Sequence, residues 1–119
     1  MIMERAVDAQ TVGEFDTARA LYDRAIMIEP DYAEAWSRRA SLFLNDENFP
    51  EALRDLNEAL RLEPRHFGAW AGLGIMMETM GAEKEALEAY RQALEIYPFM
   101  TQALQAEKRL AKQAEGQGL

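Results

Sequence analysis

His66 is the sole histidine of this chain, and histidine is the side chain best suited to exchange a proton near neutral pH. A histidine base needs a nucleophile or a second polar partner beside it. The chain has no cysteine, and its two serines, Ser37 and Ser41, stand four apart. That spacing puts both on one helix face, which suits contact with a ligand better than catalysis. His66 itself follows Pro64 in a connector and reads as a turn residue. The acid pairs Glu83 with Glu85 and Asp46 with Glu47 fall at helix ends or turns and read as solvated charges, not as an acid–base dyad. Gly68, Gly72 and Gly74 lack the spacing and the following Lys-Ser/Thr of a phosphate loop. One histidine with scattered carboxylates supplies no recognisable zinc ligand set. The expectation is a chain with no catalytic residues, no metal and no cofactor. It does not read as an enzyme.

The charge narrows the partners. With 21 acidic and 13 basic side chains the formal charge is −8 and the pI about 4.7. A nucleic-acid binder needs a basic footprint to neutralise phosphates, and an anionic membrane surface also favours cations. Both classes are disfavoured, and a protein or peptide partner is expected instead. The longest apolar run, residues 67–77, is interrupted by three glycines and is too short to span a bilayer. The start, Met-Ile-Met-Glu-Arg, lacks the apolar core of a signal peptide. The expected compartment is cytoplasmic, or periplasmic or exported if a signal segment upstream is missing.

What must position these residues is a repeat. Pro30, Pro64 and Pro98 are spaced by 34 residues, and the same step carries Trp36 onto Trp70, Ala18 onto Ala52 and Ala86, and Ala25 onto Ala59 and Ala93. A fixed period with several residue types in phase marks a helical solenoid. Each block carries two helical patterns. Ala18, Leu21, Tyr22, Ala25 and Ile26 form one face of the second helix of the first block, repeated by Leu53, Leu56, Ala59 and Leu60 and by Leu87, Tyr90, Ala93 and Leu94. First helices place Trp36, Ala40 and Phe43, then Trp70, Gly74 and Met77, on one face. The prolines stop each second helix, which predicts second helices over 17–29, 51–63 and 85–97 and largely buried tryptophans. Gly13 and Gly81 stand where a helix–helix turn needs φ > 0, while the middle block offers Asp46-Glu47-Asn48. Asp31 with Glu34 has capping-box spacing, and Pro50 suits a first helical position.

This pattern resembles the tetratricopeptide repeat. The third block reads Trp70, Leu73, Gly74, Met77, Ala86, Tyr90, Ala93, Pro98. The second reads Trp36, Arg39, Ala40, Phe43, Ala52, Leu56, Ala59, Pro64, and the first, more loosely, Ile2, Arg5, Ala6, Ala9, Ala18, Tyr22, Ala25, Pro30. Arg39 and Arg5 replace the family's leucine, so their stems are expected to pack while the guanidinium reaches water or an acidic partner. The resemblance implies an all-α, right-handed α-solenoid forming a single domain over 1–115. Its repeats are expected at about 1–32, 33–66 and 67–98, with a C-terminal capping helix over 99–115 and a flexible tail at 116–119.

It also implies a non-catalytic interaction scaffold that binds a partner peptide or helix in a concave groove lined by first helices. Carried over by position, that groove holds Val7 from the first block. The second block adds Ser37, Arg38, Ser41, Leu44 and Asn45, and the third Ala71, Gly72, Ile75 and Glu78. The terminal helix adds Arg109 and Lys112. The clamp with which some members grip a partner's C-terminal carboxylate is absent, since its positions hold Met3, Val7, Arg38, Gly68 and Gly72. Val7, Leu44 and Ile75 beside Arg38 suggest a ligand with apolar side chains and an acidic group. The rival reading is a self-associating module that stacks through exposed end-repeat surfaces.

Overall fold

A computed structural model describes residues 1–117, and every regular element among them is α-helical. The helices are α1 (Ile2–Thr11), α2 (Phe15–Ile28), α3 (Ala33–Asn45), α4 (Phe49–Leu62), α5 (Phe67–Thr79), α6 (Glu83–Ile96) and α7 (Thr101–Gln117). The expected second helices are α2, α4 and α6, each starting about two residues early and stopping just before its proline. The chain divides into two compact units, Met1–Pro64 and the part from Arg65 onward. In the first, α1 packs on α2, α2 on α3 and α3 on α4. In the second, α6 packs on both α5 and α7.

Three turns between paired helices are built alike. Gly13, Glu47 and Gly81 have φ of 85°, 57° and 81°. The following amides reach back to Ala9, Phe43 and Met77 carbonyls, each at 2.8 Å. This bond satisfies carbonyls that a helix end leaves free, and it requires a left-handed residue. Glycine adopts that conformation readily, whereas Glu47 is strained there. Glu47→Gly is therefore expected to stabilise the chain by about 0.5–1 kcal/mol, because relief of strain outweighs the extra unfolded-state freedom. Urea unfolding checks this: a midpoint at or below the parent's would be the contrary result.

Several local expectations need correction. Asp31 is no cap: α3 begins after Tyr32 without a side-chain cap, and the Glu34 carboxylate lies 3.4 Å from Arg38. Pro50 occupies the second helical position, behind Phe49. His66 does more than fill a turn, since its Nδ1 accepts the Ala69 amide at 3.0 Å and caps α5. Trp36 and Trp70 are half-buried rather than buried. The Trp36 indole turns its N–H to the Pro30 carbonyl at 2.8 Å, which holds one ring edge at the surface. The capping helix begins at Thr101 and extends through Gln117, so it takes in two residues of the expected flexible tail, Gly116 and Gln117. The other two, 118 and 119, lie outside the described residues.

The cores are made of alanine and large side chains in alternation. Ala6, Ala9, Ala18, Leu21, Tyr22 and Leu42 form one cluster; Ala86, Tyr90, Ala103, Ala106 and Leu110 form another. Small residues let helix backbones approach closely around each tyrosine. At Gly74 the approach is close, because an added Cβ would stand 2.8 Å from the Tyr90 ring.

Candidate functional site

The residues expected along the first helices separate into two sets, one in each unit. In the first unit, Met3, Glu4, Val7 and Asp8 of α1, together with Tyr32 and with Glu34 and Arg38 of α3, line a cleft of about 370 Å³. Val7 and Arg38 thus line the same cleft. Nearby, α1 and α3 are tied by Gln10 Nε2 donating to Ser41 Oγ at 2.8 Å. Ser41 Oγ donates in turn to the Arg38 carbonyl at 2.6 Å, so the hydroxyl is engaged internally. Leu44 is half-buried and Asn45 exposed.

Ser37 is not on an open face. It is 9% exposed, and Ala71, one period on, is 6% exposed. The cause is packing on two sides: α3 meets α4 of its own repeat and α2 of the preceding one, which widens its buried arc. In the second unit Ile75 is 43% exposed and Gly72 half-buried. Glu78 and Arg109 form an ion pair, so the Arg109 charge is held within the fold. Lys112 is exposed on α7.

A recurring polar tie passed unnoticed in the sequence. Tyr22 hydroxyl donates to Gln10 Oε1 at 2.6 Å, and Gln10 reaches Ser41. Two periods later Tyr90 hydroxyl donates to Glu78 Oε1 at 3.1 Å, and Glu78 holds Arg109. Each trio joins a first helix, its own second helix and the next first helix. The same register in the middle falls on Leu44, Leu56 and Ile75, all apolar. Its signal was available: a tyrosine at 22 and at 90, each with a polar residue twelve positions earlier. A second tie recurs with its charges exchanged. Asp23 receives Arg39 Nη1 at 3.0 Å, while Arg91 Nη2 donates to Glu107 at 3.1 Å in the equivalent places.

Burial, then the Glu78 bond and charge, push the Tyr90 hydroxyl above its ordinary value of 10.0. Burial likewise pushes Tyr22 up, with Arg38 opposing. Both hydroxyls stay protonated in the fold at pH values where the unfolded chain ionises them. Their stabilising contribution is full below about pH 10 and declines as pH rises above it. Melting temperature should accordingly fall above pH 10, and fall less steeply in Tyr90→Phe. Thermal unfolding followed by circular dichroism over pH 8–11 measures this, and equal slopes for parent and variant would contradict it.

The family model for the tetratricopeptide repeat matches residues 3–53 and again 38–101. The chain belongs to the tetratricopeptide repeat family. A TPR repeat-containing protein of Rhizobium etli is 37% identical over 94 residues, which is 79% of this chain and 46% of that protein. The chain spans less than half the length of that relative. Among solved structures, an Arabidopsis OM64 TPR domain has a TM-score of 0.84 at 29% identity, covering 93% of this chain and 92% of the other. The first TPR of Spaghetti (RPAP3), bound to the HSP90 peptide SRMEEVD, has a TM-score of 0.85 at 21% identity over 96% and 90%. The fold is thus the all-α helix–turn–helix repeat of this family, which generally serves as a non-catalytic interaction module. No described helix is long and apolar enough to cross a membrane.

Proposed function

We propose that this tetratricopeptide repeat chain is a non-catalytic scaffold that binds a segment of a partner protein on the faces of its first helices. The observation that carries this is the cleft between α1 and α3, where Met3, Val7 and Tyr32 offer apolar contact beside charged side chains. Clefts that combine apolar contact with a few orienting polar groups suit an extended or helical peptide. That the structurally similar Spaghetti (RPAP3) domain is bound to a peptide supports a peptide as the kind of ligand.

The test starts from short randomised peptides selected on the immobilised chain, followed by amide chemical shifts on titration. Shifts are expected on α1 and α3 around Val7 and Arg38. Val7→Ala, inside the cleft, should weaken binding, while Glu88→Ala on α6 should change nothing. Shifts confined to the second helices, with Glu88→Ala disrupting binding, would overturn the reading.

A second reading, self-association, has one observation in its favour. Met1, Ile2, Met3, Ala25, Ile28, Glu29 and Tyr32 surround a concavity of about 440 Å³, and the neighbouring Met27 is 83% exposed. Sedimentation over a wide concentration range separates the two, since a scaffold keeps a constant mass.

A further inference from the structure

The α1–α3 cleft carries charges that do not suit an acidic ligand. Glu4 and Asp8 of α1 and Glu34 of α3 line it, against one guanidinium, Arg38. That guanidinium is already occupied, since the Glu34 carboxylate stands 3.4 Å away. An arriving carboxylate would have to displace Glu34 while facing Glu4 and Asp8. Among the described residues neither of those two carboxylates makes an ion pair, so a cation arriving there neutralises charge without breaking anything. The surroundings act in the same sense. Residues 1–64 hold fourteen acidic and seven basic side chains, whereas the rest of the chain holds seven and six. The summed field near the cleft therefore attracts positive segments and repels negative ones.

From this geometry we infer that the cleft takes a peptide segment pairing an apolar residue with a lysine or arginine. The apolar residue packs on Met3, Val7 and Tyr32, and the cation lies between Glu4 and Asp8. This inference rests on the peptide-binding reading and names the chemistry of its ligand.

The experiment is selection of short randomised peptides on the full chain at about 0.15 M salt, where screening length is ~8 Å and distant charges count little. Retained peptides should be enriched in Lys or Arg next to Leu, Ile, Val, Met or Phe. For a selected peptide, Glu4→Gln with Asp8→Asn should weaken binding roughly three- to tenfold, as removal of two partly exposed charge contacts implies. Asp46→Asn with Glu47→Gln makes the same charge change away from the cleft and should leave affinity unaltered. Equal weakening by both pairs would mean bulk attraction only, and the inference falls. Retained peptides that are acidic and lose affinity on Arg38→Ala would overturn the inference while leaving the peptide-binding reading intact. If no peptide is retained above background, both fall together.

Discussion

Arg39→Leu should destabilise the chain by about 3–5 kcal/mol, although it restores the residue that the family prefers at this place. Arg39 Nε and Nη2 donate to the two carboxylate oxygens of Asp55, each at 2.8 Å, and Nη1 donates to Asp23 at 3.0 Å. Asp55 is 2% exposed, so without its partner it is a buried and uncompensated charge. The reverse variant, Asp55→Leu, should cost less. Arg39 keeps Asp23, and the faces of Trp36 and Phe43 lie 5.2 and 5.8 Å from its guanidinium. The double variant Arg39→Leu/Asp55→Leu should recover most of the loss. One period on, the equivalents are Leu73 for Arg39 and Ala89 for Asp55, an apolar solution the same chain already uses. Urea unfolding of the four proteins gives the coupling energy directly. An Arg39→Leu protein within 1 kcal/mol of the parent would show that water reaches Asp55 and that the pair is not a buried one.

That pair also shows where sequence reading stops. Helices and their ends were legible because periodicity, proline and glycine act within a few residues of where they stand. The 34-residue step placed α2, α4 and α6 to within two residues, and Gly13 and Gly81 marked turns whose third example, at Glu47, uses a less favourable side chain. Contacts between elements were less legible. An arginine at a leucine position announced an acidic partner, but Asp23 and Asp55 lie sixteen residues away on either side and nothing local selects them. Gln10 and Ser41 are 31 apart, as are Glu78 and Arg109. Arg38 and Arg109, expected as charges for a ligand, each have an acidic partner in the fold, Glu34 on the same helix and Glu78 on α5. Ser37 was misplaced because a single stripe underestimates the buried arc of a helix flanked on both sides. The cleft that gathers Glu4 and Asp8 with Glu34 and Arg38 forms only where α1 meets α3.

Deleting residues 99–119 should lower the melting temperature by at least about 10 °C and reduce solubility. The deleted segment includes α7, whose Ala103, Ala106 and Leu110 are buried against Ala86 and Tyr90, with Leu87 and Leu94 packed at the margin. Burying one leucine contributes about 1.5–3 kcal/mol, and the alanines and Met100 add to it. Two ties go as well, since Arg91 loses Glu107 and Glu78 loses Arg109. Glu78 then remains beside Tyr90 with its countercharge gone, and an apolar face opens on α6. Repeat stability is approximately a sum of repeat terms and nearest-neighbour interfaces, so removing one interface weakens the last repeat first. A milder variant separates loss of the interface from loss of chain. Leu110→Asp keeps α7 in place but puts a carboxylate at a position 3% exposed, and it should reproduce most of the fall. Lys108→Ala, on the exposed side of the same helix, should melt like the parent. If the truncated chain and Leu110→Asp both melt like the parent, α7 is an appendage and the second unit is stable without it. If only the truncation is destabilising, the ion pairs rather than the apolar face carry the interface, and Arg91→Ala with Arg109→Ala must then account for the loss.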